Sequence, residues 1–124
     1  MIRSIRVVAL ASGFAMLLSA AGQGGPVERR GDCVAGPGRW RLAVQREGLK
    51  TLRVRFELKD VDSGESWQLF LSDNGVGIFF TTKVAENNEV RVRKVTRDRS
   101  GRDRISASAV NMDSGATCGG SLRF

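Results

Sequence analysis

The chain has 124 residues, a formal net charge of +7 at pH 7, and neither histidine nor tyrosine. This length allows a single domain. Since the usual general bases are missing and both cysteines are expected to be oxidised, the composition argues against an enzyme, and no catalytic residue or cofactor is predicted.

Residues 1–22 have the three parts of a secretory signal peptide. Two arginines near the start are followed by an apolar run over 7–18 and by small residues over 19–22. We expect cleavage after about Ala21 or Gly22. The apolar run is shorter than the ~20 residues that a membrane-spanning helix needs, and a retained anchor is the alternative. The mature protein is therefore expected to be secreted, extracellular or attached to the cell envelope, with no stable membrane insertion.

Residues 23–38 are rich in glycine and proline and show no periodicity, so we interpret them as a flexible tether ahead of a domain over 39–124. The tether contains Cys33, and the other cysteine of the chain is Cys118. In an exported chain, two cysteines are expected to form a disulfide. Without histidine and without a C-x-x-C pair, no metal site is predicted at these cysteines.

From residue 39 the hydrophobic pattern has a period of two, which is typical of β-strands with one buried face. The predicted strands outside the central hairpin cover 39–45, 50–58, 89–95, 105–109 and 118–124. Turn signals recur at roughly 8–12-residue intervals. The pattern predicts an all-β protein, either an antiparallel sandwich of about seven strands or a small closed barrel.

The third and fourth predicted strands form a hairpin over 66–82. Its centre, Asn74-Gly75, accepts the positive φ angles of a two-residue type I′ turn. Counting back from this turn places Phe70 opposite Phe79 on the outer face of the sheet. The inner face of the hairpin is then expected to carry Trp67, Leu69, Leu71, Ile78 and Phe80.

The spacing of the largest predicted core residues resembles that of immunoglobulin-like domains. Such domains pack a tryptophan of the third strand against core positions on the second and sixth strands, and Trp67 stands at a comparable distance between Phe56 and Ile105. Asp103, however, occupies the position of the corner tyrosine. The layout is similar to that of small exported bacterial immunoglobulin-like or fibronectin-III-like proteins of uncharacterised function. The features that carry this resemblance are Cys33, Trp67, Asn74-Gly75, Gly101-Arg102-Asp103 and Gly115-Ala116-Thr117-Cys118. The resemblance implies an immunoglobulin-like sandwich with one disulfide and no particular activity.

If the first, second and fifth predicted strands form one sheet, six arginines share its outer face. These are Arg39, Arg41, Arg53, Arg55, Arg91 and Arg93. Neighbouring like charges on paired strands cost stability, and an anionic partner would relieve that cost. We therefore expect a binding module for an anionic envelope polymer or an acidic protein, whereas nucleic acid is not the expected partner. The alternative is a solvated face whose charges are screened by salt.

The other sheet would hold the remaining four strands, with Phe70 and Phe79 paired on its outer face. Outward aromatic side chains beside small residues such as Ser106 and Ser108 are typical of a docking patch for a protein or a glycan. This patch, or the loops, supports an alternative function, that of a secreted inhibitor or protein ligand. The two rings could equally cover each other or lie under the segment that begins at Gln23. The sequence leaves the oligomeric state open.

Four carboxylates lie in two loops that the sandwich places at one end. Asp60, Asp62 and Glu65 precede the hairpin, and Asp113 precedes the last strand. Calcium prefers several such oxygen ligands. Because the glycine position of an EF-hand loop is not matched and Asp-Ser-Gly is common in turns, we interpret these carboxylates as turn residues and predict no metal site.

Overall fold

The computed structural model describes residues 25–99 and 101–124, which form eight β-strands. The strands are β1 (Val27–Asp32), β2 (Arg39–Arg46), β3 (Thr51–Lys59), β4 (Ser66–Asp73), β5 (Val76–Val84), β6 (Glu89–Arg97), β7 (Arg104–Asn111) and β8 (Thr117–Arg123). This part of the chain contains no helix that is long and apolar enough to cross a membrane. The predicted signal peptide at 1–22 lies outside the described residues.

The strands form two four-stranded antiparallel sheets. Sheet 1 has the order β1-β2-β3-β6, and sheet 2 has the order β5-β4-β7-β8. Counted from β2, the first, second and fifth strands lie in one sheet and face the third, fourth, sixth and seventh in the other, which is the arrangement of an immunoglobulin-like sandwich. The predicted fold class and the predicted grouping of strands are therefore confirmed.

The hydrophobic core lies between the two sheets. Trp67 of β4 is 1% exposed, and Phe56 of β3 and Ile105 of β7 are completely buried in the same cluster. The other large, fully buried aliphatic side chains are Leu42, Val44, Leu52, Val54, Leu58, Val61, Leu69 and Leu71. The alternation of these positions explains why the period of two in the sequence marks the strands correctly.

The first strand corrects the interpretation of residues 23–38 as a tether. Residues 27–32 form β1, which pairs along its whole length with β2, from Val27 opposite Val44 to Asp32 opposite Arg39. A side chain from β2 fills the space beneath this edge strand: a Cβ added at Gly31 would lie 2.7 Å from the ring of Trp40. Because β1 contributes few apolar side chains of its own, its sequence carries no alternating pattern.

The central hairpin turns where predicted, but its register is different. Asn74 and Gly75 have φ angles of 51° and 85° and connect Asp73 directly to Val76. A β-bulge then shifts the pairing between Leu71 and Ser72. Beyond the bulge each residue of β4 faces a residue of β5 one position later than the two-residue turn alone predicts.

The shifted register exchanges the faces of two phenylalanines. Phe70 lies opposite Phe80, and Leu71 lies opposite Phe79. Phe80 is 61% exposed, whereas Phe79 is half-buried and packs against the core. The predicted outward pair of Phe70 and Phe79 and the predicted inward position of Phe80 are therefore wrong. Gly77, a glycine inside a strand, was the available signal for a bulge.

The predicted disulfide between Cys33 and Cys118 is formed. It joins the segment after β1 to β8, next to a β-bridge between Val34 and Thr117. These contacts connect an edge of sheet 1 to the neighbouring edge of sheet 2. The bond therefore closes one side of the sandwich covalently.

We expect the double variant Cys33→Ser/Cys118→Ser to lose roughly 4–5 kcal/mol of unfolding free energy, because the bond closes a loop between residues 85 positions apart and so restricts the unfolded chain. Denaturant unfolding measures this loss. Reduced wild-type protein should match the double variant, and a reductant should leave the variant unchanged. Equal stability of the oxidised wild type and the variant would contradict the expectation.

Candidate anion-binding face

All six predicted arginines lie on the outer face of sheet 1, which we call the arginine face. The alternation along β2, β3 and β6 directs them away from the core, while the residues between them are buried. Across the strands, Arg41, Glu57 and Arg91 form one row. Ala43, Arg55 and Arg93 form the next row. The sequence therefore predicted correctly that these side chains are brought together.

Four of the six arginines have carboxylate partners. The ion pairs are Arg39 with Asp60 at 2.8 Å, Arg41 with Glu28 at 2.7 Å and with Glu57 at 3.4 Å, Arg91 with Glu89 at 2.8 Å, and Arg53 with Glu47. Their positive charges are thus partly neutralised within the protein. The like-charge repulsion expected across the whole face is confined to the arginines that remain.

Glu28 is a neighbour of the arginine face that the sequence analysis did not identify, because it lies in β1. Its carboxylate accepts hydrogen bonds from Arg41 at 2.7 Å and from Arg30 at about 3.2 Å. The hydrogen bond from Arg41 is the main reason that the pKa of Glu28 is lowered to about 2. Glu28 therefore stays ionised at any physiological pH and holds Arg41 in place.

Arg55 and Arg93 form the uncompensated centre of the arginine face. They lie directly opposite each other on β3 and β6. Among residues 25–99 and 101–124, neither has a carboxylate within ion-pair distance, and Arg55 donates only a long hydrogen bond of 3.4 Å to Gln45. Like charges directly opposite each other on paired strands are destabilising. This pair is therefore the point of the face at which a bound anion would stabilise the fold most.

A groove of about 450 Å³ begins at this arginine pair and passes around the edge of β6 to β5. Phe79 and Val92 supply its apolar part, and Lys83 adds a further positive charge. Glu57, which pairs with Arg41, also lines this groove. Beside it, the ammonium of Lys94 lies 5.5 Å from the centre of the Phe79 ring, a cation–π distance. The sequence analysis missed both lysines because it placed Phe79 on the opposite side of sheet 2.

A second groove, of about 420 Å³, lies between β1, β2 and β3. It is lined by Arg30, Arg39, Arg41 and Lys59, together with Asp32 and Glu57. Since its three arginines are all in ion pairs, this groove has less free positive charge than the groove at Arg55 and Arg93.

The acidic loop residues at one end of the sandwich have structural contacts. Asp60 pairs with Arg39, Asp113 accepts a hydrogen bond from the amide of Ser66 at 3.0 Å, and Glu65 accepts one from Asn111 at 2.6 Å. Within the part of the chain that the structure describes, no group of three or more potential ligands could hold a metal ion. These contacts account for three of the four carboxylates as groups that fix the loops.

At the opposite end, two carboxylates are buried, and the sequence analysis predicted the burial of neither. Asp73 and Asp103 are 0% and 1% exposed, and both oxygens of Asp73 lack a hydrogen-bond donor. Burial, with the neighbouring Asp98 and Asp73, raises the pKa of Asp103 to about 7. Arg46 donates to Asp98 at 2.5 Å and lowers the pKa of that carboxyl. A proton on Asp103 supplies a donor for the adjacent carboxylates.

No family model and no curated protein matches this chain. Sandwiches of this kind carry many unrelated functions.

We expect the stability of the protein to fall as the pH rises from about 4 to about 7. The unfolded chain releases the Asp103 proton near the ordinary aspartate pKa of about 3.9, whereas the folded protein holds it up to about 7. The unfolded state is therefore favoured progressively over this interval. Urea midpoints measured across this pH range for wild type and Asp103→Asn isolate the effect.

The Asp103→Asn variant should lack this fall and should be more stable than wild type above pH 7. Asp62→Asn, at an exposed loop position, is the matched control and should follow the wild-type profile. Parallel profiles of wild type and Asp103→Asn would show that Asp103 does not titrate in this range.

Proposed function

We propose that the protein is an exported, non-catalytic binding module that recognises an anionic component of the cell envelope through its arginine face. The observation that carries this proposal is the uncompensated pair of Arg55 and Arg93. A phosphate, sulfate or carboxylate group between two guanidinium groups accepts charge-assisted hydrogen bonds from both. Binding also removes the repulsion between them.

The surroundings of this pair favour a polymer with several anionic groups over a single small ion. Basic side chains continue from Arg93 to Arg91 along β6, where Arg91 also pairs with Glu89, and to Lys83 across the groove. Successive outward side chains on one strand are about 7 Å apart, so separate anionic groups can occupy separate cations. The apolar surface of Phe79 and Val92 provides contact for the uncharged parts of such a polymer.

The ion pairs around Arg55 and Arg93 contribute to binding by fixing the positions of the neighbouring arginines. Glu28 and Glu57 hold Arg41, and Glu47 holds Arg53. Side chains held in one position lose less conformational entropy on binding. The exported location rests on the composition of residues 1–22, and the disulfide is compatible with it because such bonds persist in oxidising compartments.

The alternative, a secreted inhibitor or protein ligand acting through Phe70 and Phe79, has less support. These two side chains lie on opposite sides of sheet 2, and Phe79 is half-buried beside the groove. Together they do not form one docking patch.

Binding of dextran sulfate and of polyphosphate to the purified, oxidised protein tests the proposal. We expect Arg55→Gln/Arg93→Gln to weaken binding at low salt about tenfold or more, since two charge-assisted contacts are lost. Rising salt should weaken binding by wild type steeply. The unfolding midpoint of the variant should be equal to or above that of wild type, because a repulsive pair has been removed.

Arg102→Gln/Arg123→Gln is the matched control. It removes the same charge from two exposed positions that are not among the six arginines of sheet 1, and it should lose little affinity. Equal losses in the two double variants would show that overall charge rather than this face binds the polymer. Binding that does not respond to salt would contradict an electrostatic site.

A further inference from the structure

A second group of arginines lies where the edges of the two sheets meet, at β1 and β8. Arg104 of β7 lies directly opposite Arg123 of β8. The residues next to them in these strands are buried, so both arginines are exposed on the outer face of sheet 2. Arg29 of β1 reaches the same place from sheet 1. We call Arg29, Arg104 and Arg123 the arginine triad.

One serine brings the members of the triad together. Arg29 donates a hydrogen bond of 2.8 Å to the carbonyl oxygen of Ser121. A guanidinium nitrogen of Arg104 lies 3.5 Å from the hydroxyl oxygen of the same serine, and Arg123 is the next outward residue of β8. A groove of about 310 Å³ is lined by all three arginines and by Ser121. The three positive charges therefore share one groove.

Among the residues that the structure describes, the triad has no acidic partner. The ion pairs of these residues include none of its three arginines. Glu28 is the one acidic residue that lines the groove, and its carboxylate pairs instead with Arg41 and Arg30. Like charges directly opposite each other, such as those of Arg104 and Arg123, are destabilising. A bound anion would offset this repulsion.

The chemistry of the triad favours a terminal phosphate group, by which we mean inorganic phosphate or a phosphomonoester. A carboxylate brings two oxygens and one negative charge to three cations. A phosphodiester likewise has two free oxygens and one charge. A phosphomonoester has three free oxygens and a charge of about −1.5 to −2 near pH 7. Only the terminal phosphate therefore offers an oxygen for each guanidinium group and enough charge to compensate most of the triad.

We propose that the arginine triad is a second anion site, which binds one terminal phosphate group. Clusters of arginines are a recurring means of recognising such groups. The disulfide between Cys33 and Cys118 joins the segment after β1 to β8, so it fixes the strand of Arg29 relative to the strand of Arg123. Groups that are held in place before binding lose less conformational entropy on binding.

The triad and the arginine face differ in position and in ligand. β1 and β6 are opposite edges of sheet 1, and Arg93 lies on β6. The arginine face follows several strands and takes the repeated charges of a polymer, whereas the triad takes one compact group. A long polyphosphate carries terminal groups only at its two ends, so loss of Arg123 should change its binding to the arginine face little.

An NMR titration of the purified, oxidised, ¹⁵N-labelled protein with glycerol 3-phosphate tests the proposal, in about 0.1 M salt to screen weak surface contacts. The shifts should saturate and should be largest at the amides of Arg29, Arg104, Ser121 and Arg123. Diethyl phosphate, a phosphodiester, should bind about tenfold more weakly or worse, because one charge and one free oxygen are missing. Inorganic phosphate separates the two sources: tighter binding than that of glycerol 3-phosphate assigns the site to free phosphate, and weaker binding assigns it to a phosphorylated end.

Arg104→Gln/Arg123→Gln should raise the dissociation constant for glycerol 3-phosphate about tenfold or more. Its unfolding midpoint should not fall, since a repulsive pair is removed. If the midpoint does fall, Arg104→Lys/Arg123→Lys replaces it, which keeps the charge but loses the planar donors and should weaken binding severalfold.

Lys59→Gln/Arg97→Gln is the matched control. It removes the same charge from the exposed last residues of β3 and β6, and it should bind glycerol 3-phosphate like wild type. Equal losses in the two glutamine variants would overturn the proposal in favour of an effect of net charge. Shifts spread over the whole surface, or equal affinity for diethyl phosphate, would also overturn it.

Discussion

The packing of Trp40 between two glycines determines how the edge of this sandwich is built. A Cβ at Gly31 of β1 would come within 2.7 Å of the indole ring, and one at Gly120 of β8 within 2.5 Å. The ring therefore needs both glycines in order to contact both sheets. With the Cys33–Cys118 bond beside it, this contact holds β1 on β2. Everything that β1 contributes to the charged surface depends on it.

The carboxylate that β1 contributes determines which arginines of the arginine face remain without an ion-pair partner among the described residues. β1 brings Glu28 to Arg41, so the side of the arginine face next to β1 is neutralised, while the side next to β6 keeps Arg55 and Arg93 without carboxylate partners among the described residues. A buried tryptophan on one edge thus places the free charge near the opposite edge. The repulsion between these two arginines is a cost that burial elsewhere and the disulfide offset.

The sequence predicts most of the fold because the strands from β2 to β8 alternate buried and exposed residues. It predicts the turn at Asn74-Gly75 because few residues accept positive φ angles there. It does not predict β1, whose packing depends on Trp40 from the next strand, or the bulge, which depends on how β5 fits around Phe70. The six arginines were found because their face follows from alternation alone. The neutralisation of four of these arginines by carboxylates was not predicted, because the carboxylates come from β1, from loops and from other positions in the strands.

The two outer faces respond to solvent in opposite ways. Salt screens the attraction between Arg55, Arg93 and a polyanion, while salting-out ions strengthen contacts such as those of Phe70 and Phe80. Buried Asp103 adds a third dependence, on pH, at one end of the sandwich and away from the centres of both faces. Because these three dependences arise from different groups, salt screening, salting-out ions and pH each act mainly on a different part of the molecule. The separation follows from the sandwich itself, whose core keeps the two outer faces apart.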